Sequence, residues 1–239
     1  MKFYEFGNCY FYNSEKTIEQ SKENTLIGYS EEMHLGIWLT GNRISVNWSH
    51  ADEASSVFEL KAYIENIFSR VGIKDKFHIA EINNETLSHA LQYTTRGEKK
   101  IGELGIVSKK VLEKLDIDTD VYFAELNWSF LMKEAKKNKV TFSEISKFPS
   151  VKRDLALLLD NHISFSDVKK IASSVEKKLL TEICLFDVYE GKHLPAGKKS
   201  YAVSFILQDN EKTLTDKQID AVVQKIRMAL EKELGAQLR

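Results

Sequence analysis

The sequence predicts an α+β chain of two modules, each built on an antiparallel sheet. Three observations lead there. Strand-like runs outnumber helical ones in the N-terminal part and follow one another directly, which favours antiparallel pairing. A lysine-rich stretch, KEAKKNK, precedes Pro149, one of only two prolines. Proline biases the residue before it toward extended backbone, so residues 140–150 read as the boundary between a module over 1–146 and another over 147–239. The second module then alternates strand and helix patterns in the order β-α-β-β-α-β.

The totals bound what such a chain does. With 239 residues, 43% of them hydrophobic, there is enough apolar material for two cored domains. The net charge of −1 excludes a whole-chain argument for nucleic acid or membrane. Residues 148–239 hold 15 Lys+Arg against 13 Asp+Glu, and the rest 19 against 22, a slight basic lean in the second module. Cys9 and Cys184 are distant and unaccompanied, as in a reducing compartment. No apolar run approaches the ~18–20 residues of a spanning helix, and no charged-then-apolar leader opens the chain. A cytosolic chain with no membrane partner is expected.

In the first module, KFYEFGNCYFY, MHLGIWLTG and RISVNW read as three strands. Val57, Leu60, Ile64, Ile67, Phe68 and Val71 recur at helical spacing and stop at Gly72. HIAEIN and KKIGELGIV read as strands with a short helix between them. SKKVLEKL is a helix, VYFAELN a strand and SFLMKEAKK a closing helix.

The second module opens on the β run LALLLD. Ser164 with Asp167 makes a capping box ahead of Val168, Ile171, Ala172, Val175 and Leu179, which recur at helical spacing. Thr215 with Gln218 makes another, ahead of a longer amphipathic helix that Gly235 stops. AQLR supplies a short edge strand. This is the ferredoxin-like split βαβ arrangement. Both helices then lie on one side of a four-stranded sheet, and the other side is open. Tyr201, Val203, Phe205 and Leu207, with Phe186 and Val188, are expected under the helices. Asp187, Tyr189, Ser200, Ala202 and Ser204 are expected on the open face. A ring, a carboxylate and small residues leave room for a flat ligand, as on sheets that stack splayed RNA bases. A lone tyrosine is also simply a good strand residue, and sheets of this kind serve as metabolite-binding regulatory domains and dimer interfaces too.

Catalytic signatures are missing from the sequence. The six histidines show no metal-ligand spacing with one another or with either cysteine. There is no P-loop, GxSxG or GxGxxG. No catalytic residue, metal site or cofactor site is expected in the chain itself.

FPSVKRDLALLLD, LFDVYEGKHLPAGKKSYAVSFILQDNEKTLTD and ALEKELGAQLR together resemble the C-terminal anticodon-binding domain of the bacterial phenylalanine–tRNA ligase β subunit. The resemblance covers residues 147–239 without a break. EFGNCYFY and IGELGIVSKKVLEKLDIDTDVYFAELNWSFL resemble the preceding module of that family, a copy of the class II synthetase core. Working class II cores carry an arginine in their second motif and a Gly-rich, arginine-ended third motif that stabilise adenylation electrostatically. Here residues 3–12 hold no arginine, and Leu126, Trp128 and Phe130 stand where the third motif has glycines. The resemblance therefore implies a core that is structural, with catalysis in an α subunit of an α2β2 assembly that uses ATP and Mg2+. It also implies a β chain several times longer, of which this sequence is a C-terminal piece. The missing arginines weigh against a single-chain organellar synthetase.

For the second module, the resemblance implies that the open face holds the first anticodon base of tRNA(Phe), a guanine. Asp187 would accept from its Watson–Crick edge, an acceptor-only role suited to a carboxylate. Tyr189 would stack on a base or pack its ribose, Ser200 would offer a hydroxyl, and Pro149 would form a wall. Lys198 and Lys199 would attract phosphate. Arg153 fits either the RNA backbone or an internal ion pair, and Arg239 would be a further basic contact.

Overall fold

The computed structural model describes residues 1–13, 28–74, 76–95, 97–138, 141–142 and 144–239. It divides into two compact units, Met1–Thr141 and Phe142–Arg239. Lys139, Val140 and Ser143, beside or within the boundary expected from sequence, lie outside the described residues.

Among the described residues, the first unit is a six-stranded antiparallel sheet with two helices packed on one face. Its strands are β1 (Lys2–Tyr12), β2 (Tyr29–Thr40), β3 (Phe77–Ile82), β4 (Leu87–Thr95), β5 (Lys100–Val107) and β6 (Val121–Asn127), in the spatial order β1-β2-β6-β5-β4-β3. The helices among the described residues of this unit are α1 (Val57–Arg70), α2 (Lys109–Lys114) and α3 (Trp128–Lys136), of which α1 and α3 pack on the sheet. Leu35, Ile37 and Leu39 of β2 and Ala124 and Leu126 of β6 meet Leu60, Ile64 and Phe68 of α1 and Leu131 of α3 in the core. The α1 stripe forms as its spacing predicts. Ser56 caps it by accepting from the Glu59 N–H at 3.3 Å, and the chain leaves through Gly72 at a φ of 74°. The alternate side chains of β1, β2, β6 and β5 lie on the face away from these helices.

Two expectations for this unit fail. RISVNW is not a strand. Residues 42–54 make a loop with isolated bridges, in which the Asn47 side chain accepts from the Ser49 N–H at 3.0 Å and closes a local turn. Its apolar residues find nothing to cover them, and Trp48 is 99% exposed. Nor is there a helix between HIAEIN and KKIGELGIV, where β4 lies instead. Leu87, Ala90 and Tyr93 are buried at three-residue spacing. The pairing register with β5 shifts between Ser88 and Leu91, where His89 takes a φ of 48°. The inserted residue brings Leu87 and Ala90 to one face, and Tyr93, reached by unshifted pairing, is buried on the other, so burial on both sides of the strand gives a spacing of three that imitates a helix.

The second unit contains β7 (Val151–Asp160), α4 (Phe165–Val175), β8 (Leu180–Tyr189), β9 (Lys198–Leu207), α5 (Asp216–Leu234) and β10 (Gln237–Leu238). The sheet order is β10-β7-β9-β8, and every pair is antiparallel. Tyr201, Val203, Phe205 and Leu207 join Leu157 and Leu159 of β7, Val168, Ile171 and Ala172 of α4, and Ile219, Val222, Ile226 and Leu230 of α5 in one core. Both capping boxes form, and Gly235 ends α5 in the left-handed region at a φ of 62°.

The Ser164 side-chain and backbone hydrogen bonds hold the Asp167 carboxyl below its usual range, against a smaller opposing effect of desolvation. A folded-state pKa depressed in this way contributes stability above the unfolded value, and the contribution fades as pH falls through the folded value. Ser164→Ala should lower stability by about 1 kcal/mol at neutral pH. Urea unfolding of both proteins across pH should show the gap narrowing once Asp167 protonates.

Candidate nucleic-acid interface

The open face of the second unit follows from the pairing of β9. With Tyr201, Val203, Phe205 and Leu207 turned to the helices, Ser200, Ala202, Ser204 and Ile206 turn away. Their β7 partners Leu158, Ala156, Asp154 and Lys152 share that face. On β8, Asp187 pairs with Ala202 and Tyr189 with Ser200, so both lie on it.

Phe186 does not face the helices, and Val188 faces them without being covered. The β8–β9 register shifts between Leu185 and Asp187, which makes Phe186 the extra residue of a bulge. Leu185 packs on the core, whereas Phe186 is 54% exposed and its ring has the Lys152 ammonium 5.1 Å from its centroid. Val188 pairs with Tyr201 on the helix side, yet on this edge strand it stays 48% exposed.

Two basic side chains thereby span the central strand. Lys152 reaches across β9 to Phe186. Arg239, whose backbone N–H donates to the Ala156 carbonyl at 3.0 Å, extends across β7 and β9 until its guanidinium lies 5.6 Å from the Tyr189 ring centroid. Such contacts contribute roughly 0.5–1 kcal/mol at exposed sites. Ala156 and Ala202, small residues of the middle strands, lie on the same face as the two crossing chains. Asp187 is exposed beside them. Behind Tyr189, a Cβ at Gly191 would collide with the phenol oxygen, so glycine is needed there for the ring to keep its place.

The other expected site residues scatter. Ser200 is on the face but only 7% exposed, and Ser204 only 2%. Lys198 is also on it, paired with Asp160 at 2.8 Å. Lys199 is not. It turns to the helix side, 8% exposed, with its ammonium 4.8 Å from the Tyr201 ring centroid. Arg153 also lies on the helix side, where it faces Asp216 at the start of α5 at 3.6 Å and donates to the Lys152 carbonyl. Pro149 is exposed but seven residues along the chain from Ala156, roughly 23 Å of extended strand from the Asp187 row. Sequence reading missed Phe186, Lys152 and Ala156. Alternation was the signal for Lys152 and Ala156; a bulge gives none for Phe186.

Residues 146–239 match the family described as ferredoxin-fold anticodon binding domain. Residues 1–128 match the family described as phenylalanyl tRNA synthetase beta chain CLM domain, more than half of the chain. The chain belongs to the phenylalanyl-tRNA synthetase beta chain family. Among curated members, the phenylalanine–tRNA ligase beta subunit of Bacteroides fragilis is 52% identical over 240 residues, covering 100% of this chain and 29% of that protein. Those of Bacteroides thetaiotaomicron and Porphyromonas gingivalis are 50% and 47% identical, covering 100% and 99% of this chain and 29% of each subunit. The chain therefore spans under a third of the length of these beta chains. A crystal structure of pyrrolysyl-tRNA synthetase from Desulfitobacterium hafniense aligns with 57% of this chain and 42% of its own at 14% identity and a TM-score of 0.36, too slight a likeness to bear on the fold.

Gly191→Ala should push the Tyr189 ring from its place while changing stability by no more than ~0.5 kcal/mol. Two-dimensional NMR of the Tyr189 ring, beside a urea unfolding curve, checks both halves of that expectation.

Proposed function

We propose that the open face of the second unit reads the anticodon of tRNA(Phe), with the first anticodon guanine as the base read. The observation that carries this reading is the exposed Asp187 carboxylate beside the Tyr189 ring, with Arg239 laid against that ring, in a domain that matches an anticodon-binding family. A carboxylate accepts from the two Watson–Crick N–H donors that guanine alone offers in that arrangement. A phenol ring gives a base about 1–3 kcal/mol of stacking. In the ligand-free chain, the planar guanidinium of Arg239 holds the place a base would take. A base that stacks there releases Arg239 to a neighbouring phosphate, and Lys152 supports the second charged contact. Lys198 adds to the field on this face. Lys199 and Arg153, turned to the helices, take no part, and Pro149 bounds the far end of the sheet.

The first unit is proposed as a non-catalytic copy of a class II synthetase core. Its uncovered face carries Glu5, Glu32, Glu103 and Glu125, and strands β1, β2, β5 and β6 contain no arginine. Such a surface repels a triphosphate. Within the cytosolic α2β2 enzyme, which uses ATP and Mg2+ to join phenylalanine to its tRNA, the α subunit then performs the chemistry. The edge strand β1, with Phe3, Tyr4, Phe6 and Tyr10 between 46% and 74% exposed, offers an aromatic surface suited to a protein partner.

The deciding measurement is the affinity of the chain for a tRNA(Phe) anticodon stem-loop at low salt, beside a stem-loop with its first anticodon guanine changed. Tyr189→Ala and Asp187→Ala should each weaken binding about tenfold or more. The base change should weaken wild type similarly and Asp187→Ala little further. Equal affinity for both stem-loops would sink the reading.

A further inference from the structure

We propose that Cys9, His34 and Glu125 form a zinc-binding site on the uncovered face of the first unit, clipping the edge strand β1 to β2 and β6. This goes beyond the anticodon reading and does not rest on it. The three residues are far apart in sequence, and no metal was expected from their spacing. Pairing brings them together. Cys9 is opposite Glu32 on β1 and β2, His34 follows on the same face of β2, and Glu125 stands on β6 opposite Gly36. Strand order places β1, β2 and β6 side by side.

Their ligand atoms all lie within 4.8 Å of one another. Glu125 Oε1 is 2.8 Å from His34 Nδ1 and 4.0 Å from Cys9 Sγ. A tetrahedral zinc ion with ordinary Zn–S, Zn–N and Zn–O bonds separates its ligand atoms by roughly 3.3–3.6 Å. The two observed separations bracket that value, so side-chain shifts of less than an ångström would admit the ion. One thiolate, one imidazole and one carboxylate are a donor set that zinc favours, with water in the fourth position.

A second observation points the same way. The His34 Nε2 atom is buried without a hydrogen-bond partner, while Glu32 Oε2 stands 3.5 Å from it. Glu32 is itself held by the Asn127 side-chain amide. A ligating histidine almost always donates its other ring N–H to a carboxylate or carbonyl. With the ion on Nδ1, the ring proton moves to Nε2 and donates to Glu32, which gives the orphaned atom its partner. Gly36, between His34 and Trp38, leaves the neighbouring surface to the Trp38 indole, and the Phe11 ring lies 6.1 Å from the imidazole on the other side. The carboxylates of this face, Glu5 and Glu103 included, favour a cation electrostatically.

Proton balance is simple. With the ion on Nδ1, the histidine carries its ring proton on Nε2. The Cys9 thiol gives its proton to solvent as the Zn–S bond forms. Burial, then Glu125 and Glu32, push that thiol's pKa up in the metal-free chain, so the thiol is protonated until the ion arrives.

The test is a titration of the reduced, chelator-stripped 239-residue chain with Co2+, followed by displacement with Zn2+. One equivalent should bind with a thiolate-to-cobalt charge-transfer band and tetrahedral d–d intensity, both lost on adding Zn2+. Cys9→Ser and Glu125→Gln should each lower affinity at least tenfold, and Glu32→Gln roughly tenfold. Cys184→Ser, at the remaining cysteine, should leave it unchanged. Zinc should also raise the thermal midpoint of wild type and not of Cys9→Ser. Circular dichroism checks that each variant folds; Cys9 lies on an edge strand, so its serine variant is the mildest. No stoichiometric binding by wild type, or a charge-transfer band that survives Cys9→Ser, overturns the proposal.

Discussion

Burial of Tyr201, Val203, Phe205 and Leu207 beneath α4 and α5 is the interaction on which the second unit depends. Each such side chain contributes about 2 kcal/mol on leaving water. A one-residue slip of β9 would turn all four outward, a loss comparable with the whole net stability of a small domain. The central strand is therefore pinned. Its neighbours take their facing from it, because residues opposite one another share a side. Asp187, Tyr189, Ala156 and Lys152 lie on the open face as a consequence of what the other side buries. The proposed reader is the reverse side of a core.

That logic also explains what the sequence shows and what it hides. The α4 and α5 stripes, both capping boxes and the Gly235 stop are local patterns, each readable within a few residues. The order β-α-β-β-α-β and the outward placing of Asp187 and Tyr189 follow from them. Bulges break the chain of inference. At His89 an inserted residue, with burial on both faces of the strand, makes β4 look helical, and at Phe186 an inserted residue moves a ring from the expected core to the surface. Nothing in either stretch announces the insertion, since a bulge is settled by pairing with another strand. RISVNW fails for the opposite reason. It alternates well, but among the described residues it makes only isolated bridges, and no strand or helix rewards the alternation.

The basic candidates divide along the same line. Lys198 and Lys199 are consecutive, so a strand must send them to opposite sides. Sequence named both because charge alone is legible, whereas side depends on register. Arg153 is turned inward by the same alternation and meets Asp216 at the start of a helix, where a carboxylate is already favoured by the helix dipole. Arg239 could be placed only by its reach across two strands. The first unit shows the same dependence in another form. Cys9, His34 and Glu125 are 25 and 91 residues apart along the chain, and only the order β1-β2-β6 makes them neighbours.

The bulge at Phe186 has a wider meaning. Leu185 packs against the core and must stay apolar, and Asp187 has its facing set by Ala202. Phe186 has neither obligation. It lies on the exposed surface next to the small residues of the middle strands, and exchanging it disturbs no packed layer. Over evolutionary time such a position is a free parameter. The side chain there can change from aromatic to polar to basic while the packing around it stays as it is.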